Sequence, residues 1–211
     1  MAAALEPRRL ADAQARHAQE VEELRGRLAA ACPGREPDDL FLLRYVLSYE
    51  GGGPGAAAAA ARAIAWREKH RGLVAAAQAC TDELASEPLK EWISLEHLRV
   101  IDSCLVARFA GQTSTPQGFP LYVIHSGRCR LRKLMDTVDI KSVALWLTWR
   151  NEIGYWRCDA ATRRSGLLMK QVVVMSMEGA LMSGQDPRFF VSYGKSSKRS
   201  EYLHPQLLAR Q

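Results

Sequence analysis

Apolar positions in the first part of the chain recur with helical spacing. Leu10, His17, Val21, Leu24 and Leu28 fall three, four or seven apart among charges, which predicts one amphipathic helix across residues 7 to 31. CPGREPDD breaks it, and Asp38 or Asp39 can cap a second helix, DLFLLRYVLSYE, whose Leu40, Phe41, Leu43 and Leu47 make a broad apolar face. GGGPG stops that helix. A third is expected from about Ala56 through AAAAAARAIAWREKHR, because alanine is the best helix former and Ile64 and Trp66 supply anchors. Residues 1–92 are therefore expected to form a helical module.

The pattern changes after Glu96. CLVARFAG and FPLYVIHSG are short β-rich runs separated by QTSTPQG, a stretch dense in turn formers, and together they predict a hairpin-like pair. DTVDIKSVALWLTWRNEIGYWRCD predicts a long helix with Ile140, Val143, Ala144, Leu147, Asn151 and Tyr155 on neighbouring turns. KQVVVMSMEG is apolar enough to read as a strand buried on both faces, and DPRFFVSYGKSS, 186 to 197, as a further helix. A strand, a long helix and another strand imply α/β architecture over residues 93–211. The tail, SEYLHPQLLARQ, carries Tyr202, Leu203, Leu207 and Leu208 and so begins apolar structure where a terminus is usually polar and loose.

Composition narrows the class. The 211 residues are 47% hydrophobic and 25% charged, which is ordinary for globular material and makes a folded chain, not a disordered one, the expectation. A net charge of +6 favours anionic surfaces, yet the 29 basic residues are spread out except for RCRLRK at 128 to 133, where Arg128, Arg130, Arg132 and Lys133 could touch a membrane surface. No nucleic-acid signature accompanies that run, and a solvated face is the other reading. No apolar run reaches the length of a membrane span, and the charges of MAAALEPRRLADAQ sit where a signal peptide needs its apolar core, so a cytoplasmic protein with at most a peripheral membrane contact is expected. Five cysteines without a CxxC pair suit reduced thiols, and neither metal nor disulfide is expected.

Candidate chemistry is sparse. GGGPG precedes a helix, but it follows a helix and lacks the Gly-Lys-Ser/Thr of a phosphate loop. The VVVMSMEG strand is not followed by a dinucleotide fingerprint. Cys104, Cys129 and Cys158 with His97 and His125 could serve a thiol enzyme, although nothing positions a carboxylate or oxyanion donors around them, and Glu178 has no partner carboxylate nearby. A non-catalytic protein without a cofactor is expected.

Four stretches, in order across residues 38 to 210, resemble the CRAL-TRIO family of lipid-binding and lipid-transfer proteins, which includes phosphatidylinositol transfer, tocopherol transfer and retinaldehyde-binding proteins. DLFLLRYVLSYEGGGPGAAAAAARAIAWR is similar to the family's N-terminal helical module, with its leucine-leucine-arginine helix and a closing Trp66-Arg67. GFPLYVIHSG is similar to its Gly-Arg-Pro-Val entry into a strand, and KQVVVMSMEG to the strand ending Asp-Leu-Glu-Gly. SSKRSEYLHPQLLAR resembles the segment ending in Tyr-Tyr-Pro-Glu and a short helix. In the family that segment lies in the middle of the lipid domain, so the resemblance implies an α/β lipid-binding domain cut off midway and an uncovered pocket open to self-association.

Departures cluster where the family holds polar headgroups. The family's Tyr-Tyr-Pro-Glu glutamate falls on Gln206, the strand aspartate on Ser176 and the Gly-Arg-Pro-Val arginine on Phe119, while Val46, Leu47, Ser48, Tyr49 and Glu50 follow LLR in place of further arginines. The expected function is sequestration of a phospholipid or other hydrophobic ligand, without phosphoinositide recognition. A remnant or interaction protein that has lost lipid exchange is the alternative. Period-two alternation places Tyr122 with Ile124, and Val172 with Val174 and Ser176; helical spacing places Ala144, Leu147, Thr148 and Asn151 together. These are the expected cavity residues, Tyr122 also matching a lipid-facing position in the resemblance. Plain core is the competing reading for all of them.

Overall fold

A computed structural model describes residues 8–49, 52–80, 86–114, 118–180 and 185–205. Gln206, Leu207 and Leu208 lie outside the described residues. The fold mixes helix and sheet, with nine α-helices and one three-stranded sheet among the described residues.

The first amphipathic stretch is two helices, α1 (Leu10–Arg16) and α2 (Ala18–Ala31), broken at His17, whose φ of −112° and ψ of 20° leave the helical region. Helix α3 (Asp39–Ser48) starts at Asp38, whose carboxylate accepts from the Phe41 amide at 2.8 Å. Helix α4 (Pro54–Lys69) begins with proline at its first position, where the missing N–H costs nothing. Their apolar faces meet in one core around Leu24, Leu28, Leu42, Leu43, Tyr45 and Ala60. Tyr202 and Leu203 enter the same core, so the start of the tail closes onto the N-terminal helices.

Helix α5 (Arg71–Ala79) turns away from that core and packs on the long helix of the second half. Next comes α6 (Leu95–Cys104), capped by Ser94, whose Leu98, Ile101 and Cys104 are buried one turn apart. Strands β1 (Ala107–Gln112) and β2 (Pro120–His125) pair antiparallel as the turn-rich stretch between them predicts. The basic run then forms a 3-10 turn and α7 (Leu131–Thr137). Helix α8 (Ile140–Ser165) is capped by Asp139 and ends at Gly166, which adopts the left-handed φ of 67° that glycine tolerates. Strand β3 (Val172–Ser176) returns parallel to β2, giving the order β1-β2-β3, and α9 (Pro187–Leu203) runs back along α8.

One expectation fails here. β3 is not buried on both faces: Val174 is 47% and Met175 55% exposed. β3 is an edge strand, and Val174 on its outer face is open to solvent. At its far end Gly127 lets the turn after β2 approach the backbone of Glu178 and Ala180 at a spacing that a Cβ would fill.

Candidate functional site

The inner face of the sheet, α8 and α9 enclose an open cavity of about 1650 Å³. Tyr122 and Ile124 point into it from β2, as alternation predicts, and Leu147 and Asn151 line it from α8. Because β2 and β3 are parallel with Tyr122 opposite Val173 and Ile124 opposite Met175, those four side chains share a face. Gln171, Val173, Met175 and Met177 therefore line the cavity. Val172, Val174 and Ser176 take the opposite face, a correction of one residue in parity. Val172 packs beside Phe119, Ala161 and Met169, and Val174 faces solvent.

Ala144 and Thr148 do not line the cavity either. Both are buried where α8 meets α9: the Thr148 hydroxyl donates to the Ala144 carbonyl at 2.8 Å and lies 3.4 Å from Ser196 Oγ. One turn on, Asn151 donates to Ser200 Oγ at 2.7 Å and reaches the cavity wall. Small hydroxyls on α9 thus let the two helices approach closely. Along the outer side of α9, Phe189, Phe190 and Tyr193 complete the apolar wall, with Phe190 55% exposed. Their i, i+3 and i+4 spacing in DPRFFVSYG was the available signal for them.

Polar groups occupy defined parts of this surface. Arg150 extends from α8 over the Tyr122 ring, 4.9 Å from its centroid, and donates to Tyr122 Oη at 3.4 Å and to Asn151 Oδ1 at 2.7 Å. Burial raises the Tyr122 phenol above its ordinary value, with Arg150 pulling the other way. Cys129 also lines the cavity, and burial raises its thiol above its ordinary value.

Behind the cavity a buried ionic cluster joins three elements. Glu152 of α8, fully buried, accepts from Arg67 Nε of α4 at 3.2 Å and Trp156 Nε1 at 3.0 Å, and its Oε1 lies 3.1 Å from His204 Nε2 after α9. Arg67 also donates to the Leu203 carbonyl at 2.6 Å, and Tyr45 Oη donates to that of Tyr202. Burial pushes the Glu152 carboxyl up, but Arg67 and His204 beside it bring it below its ordinary value. Burial lowers the His204 imidazole despite Glu152. The cluster fixes the tail to the N-terminal helices.

Arg128, Arg130, Arg132 and Lys133 are all exposed at the start of α7, although Arg130 is tied to the Ser103 carbonyl at 2.6 Å. No helix among the described residues is long and apolar enough to cross a membrane, and none of their acidic, histidine or cysteine side chains form a metal-binding group. No protein-family model and no curated protein matches the chain.

Proposed function

We propose that the chain binds a hydrophobic ligand, a phospholipid or another amphiphile, in the concavity between the sheet, α8 and α9, in the manner of a CRAL-TRIO-like lipid-binding protein, and catalyses no reaction on it. The observation that carries this reading is the cavity itself. At about 1650 Å³ it exceeds the roughly 300–1,000 Å³ of pockets for drug-sized ligands, and Tyr122, Ile124, Leu147, Val173, Met175 and Phe189 line it. Burying each methylene of a ligand chain contributes about 0.8 kcal/mol, so a long acyl chain gains more there than scattered polar contacts could supply. The cavity-facing Met175, Met177, Phe190 and Tyr193 are about half exposed, a surface that soluble monomers seldom leave uncovered.

A second reading draws on the unpaired edge of β3 and the exposed Val174 and Val191 outside the cavity. These suit a protein partner or a second copy pairing along the strand, as expected of an interaction protein.

Strand parity separates ligand binding from general surface effects. Met175→Lys places a charge in the cavity at an exposed position that folding tolerates, and Val174→Lys places the same charge on the opposite face. Titration with a fluorescent acyl-chain probe should lose binding in the first variant and keep it in the second. Equal binding by both would remove the cavity from the account.

A further inference from the structure

We propose that Arg150 anchors an oxyanion, a phosphate or a carboxylate, on the head of the amphiphile that fills the cavity; this rests on the hydrophobic-ligand reading above. Two other arginines with little exposed surface face carboxylates: Arg67 lies 3.2 Å from Glu152 and Arg44 4.0 Å from Asp159. Arg150 is partly buried against Tyr122, and its hydrogen bonds among the described residues go to neutral groups, the Tyr122 phenol and the Asn151 carboxamide. A guanidinium held against an apolar wall without a counter-charge is costly, and an anionic ligand head removes that cost.

Donor geometry fits the same ligand. Nε, Nη1 and Nη2 of Arg150 each make one contact, to Asn151 Oδ1, Tyr122 Oη and Asn151 Oδ1 respectively. Five N–H groups leave two free, in the planar fork that matches two oxygens of one oxyanion. Asn151 and Tyr122 fix the fork in place.

A second, independent group points to a ligand. Gln171 is 6% exposed, shares the sheet face of Tyr122 and Val173 and lines the cavity, yet its Oε1 has no hydrogen-bond partner. Buried carboxamides are normally satisfied. Its amide can donate to a ligand oxygen, and its oxygen can accept from a hydroxyl beside it. Among the described residues that line the cavity, Arg8, Arg44, Arg150 and Lys170 are cationic and Glu201 is the acidic one, with Asp159 facing Arg44 from outside the lining.

The test uses the full chain with matched pairs: a long-chain fatty acid against its methyl ester, and phosphatidic acid against diacylglycerol, with inorganic phosphate as a competitor. Wild type should bind the anionic member of at least one pair tenfold or more tightly, about the worth of one charged hydrogen bond. Arg150→Gln should lose that preference and keep neutral-member binding, which also shows that it folds, and Arg150→Lys should retain part of the preference. The pair that discriminates identifies phosphate or carboxylate. Equal affinities within both pairs, or a preference that survives Arg150→Gln, would overturn the assignment while leaving hydrophobic binding intact. Binding of no amphiphile would overturn both readings, and binding of inorganic phosphate alone would mark Arg150 as a free-anion site and overturn the amphiphile.

Discussion

Glu152→Gln tests whether the buried cluster holds the tail and the cavity wall in place. The substitution keeps the shape of the side chain but removes the charge that Arg67 Nε and Nη2 face at 3.2 Å and that Trp156 Nε1 contacts at 3.0 Å. Glutamine can accept from one side only, and its amide nitrogen then meets a donor. Removing one partner of a buried ion pair costs about 3–5 kcal/mol, because the other charge remains buried and uncompensated. Against a typical total stability of about 5–15 kcal/mol that is a large fraction. For a chain of this length it corresponds to a fall in Tm of about 6–20 °C. Urea denaturation followed by circular dichroism gives the difference directly, and hydrogen exchange should show the greatest loss of protection at the end of α9, where Arg67 holds the Leu203 carbonyl. Replacing both partners, Arg67→Met with Glu152→Leu, should cost less than the single change, since no charge is left unpaired. A Glu152→Gln cost below about 1 kcal/mol, or a double variant worse than the single, would refute this reasoning.

Two further expectations follow from the charges. Both His204 and Glu152 have lowered values in the folded state, so the folded chain binds fewer protons than the unfolded chain in acid. The stability His204 supplies should be lost as pH falls below its unfolded value of about 6.5, and that from Glu152 as pH falls below about 4.3. Urea midpoints should therefore decline from pH 7 to 5, the decline flattening in His204→Gln; a midpoint that rises over this interval contradicts the assignment. Replacing Arg128, Arg130, Arg132 and Lys133 with glutamine should weaken cosedimentation with anionic liposomes at low salt, each charge contributing about 1 kcal/mol near the surface. Unchanged binding would make the run a solvated face.

Local pattern located most elements because each carried its own signal. Asp38 announced α3, and the family resemblance singled out Tyr122, which lies with Ile124 on the cavity face; LYVI itself is apolar at every position. The parity of β3 was not legible, since VVVM is apolar at four consecutive positions and offers no contrast between faces. Only pairing with β2, whose partner residues lie 51 positions earlier in the chain, decides it. Helix α6 was legible but missed: Ser94 followed by Leu95, Leu98 and Ile101 is a cap with apolar spacing. The Arg67, Glu152 and His204 cluster joins residues 85 and 52 positions apart, and no local period encodes such a contact. Arg150 read as an ordinary polar helix position, because its unbalanced charge appears only once Tyr122 and Asn151 are seen beside it.

Native mass spectrometry of the chain purified from cells without detergent tests the central claim most directly. The account predicts a population heavier than the 23.5 kDa chain by the mass of a small amphiphile, released by organic extraction and absent from Met175→Lys but not from Val174→Lys. Only the bare chain mass from both wild type and Val174→Lys, with no hydrophobic dye bound in solution, would contradict it.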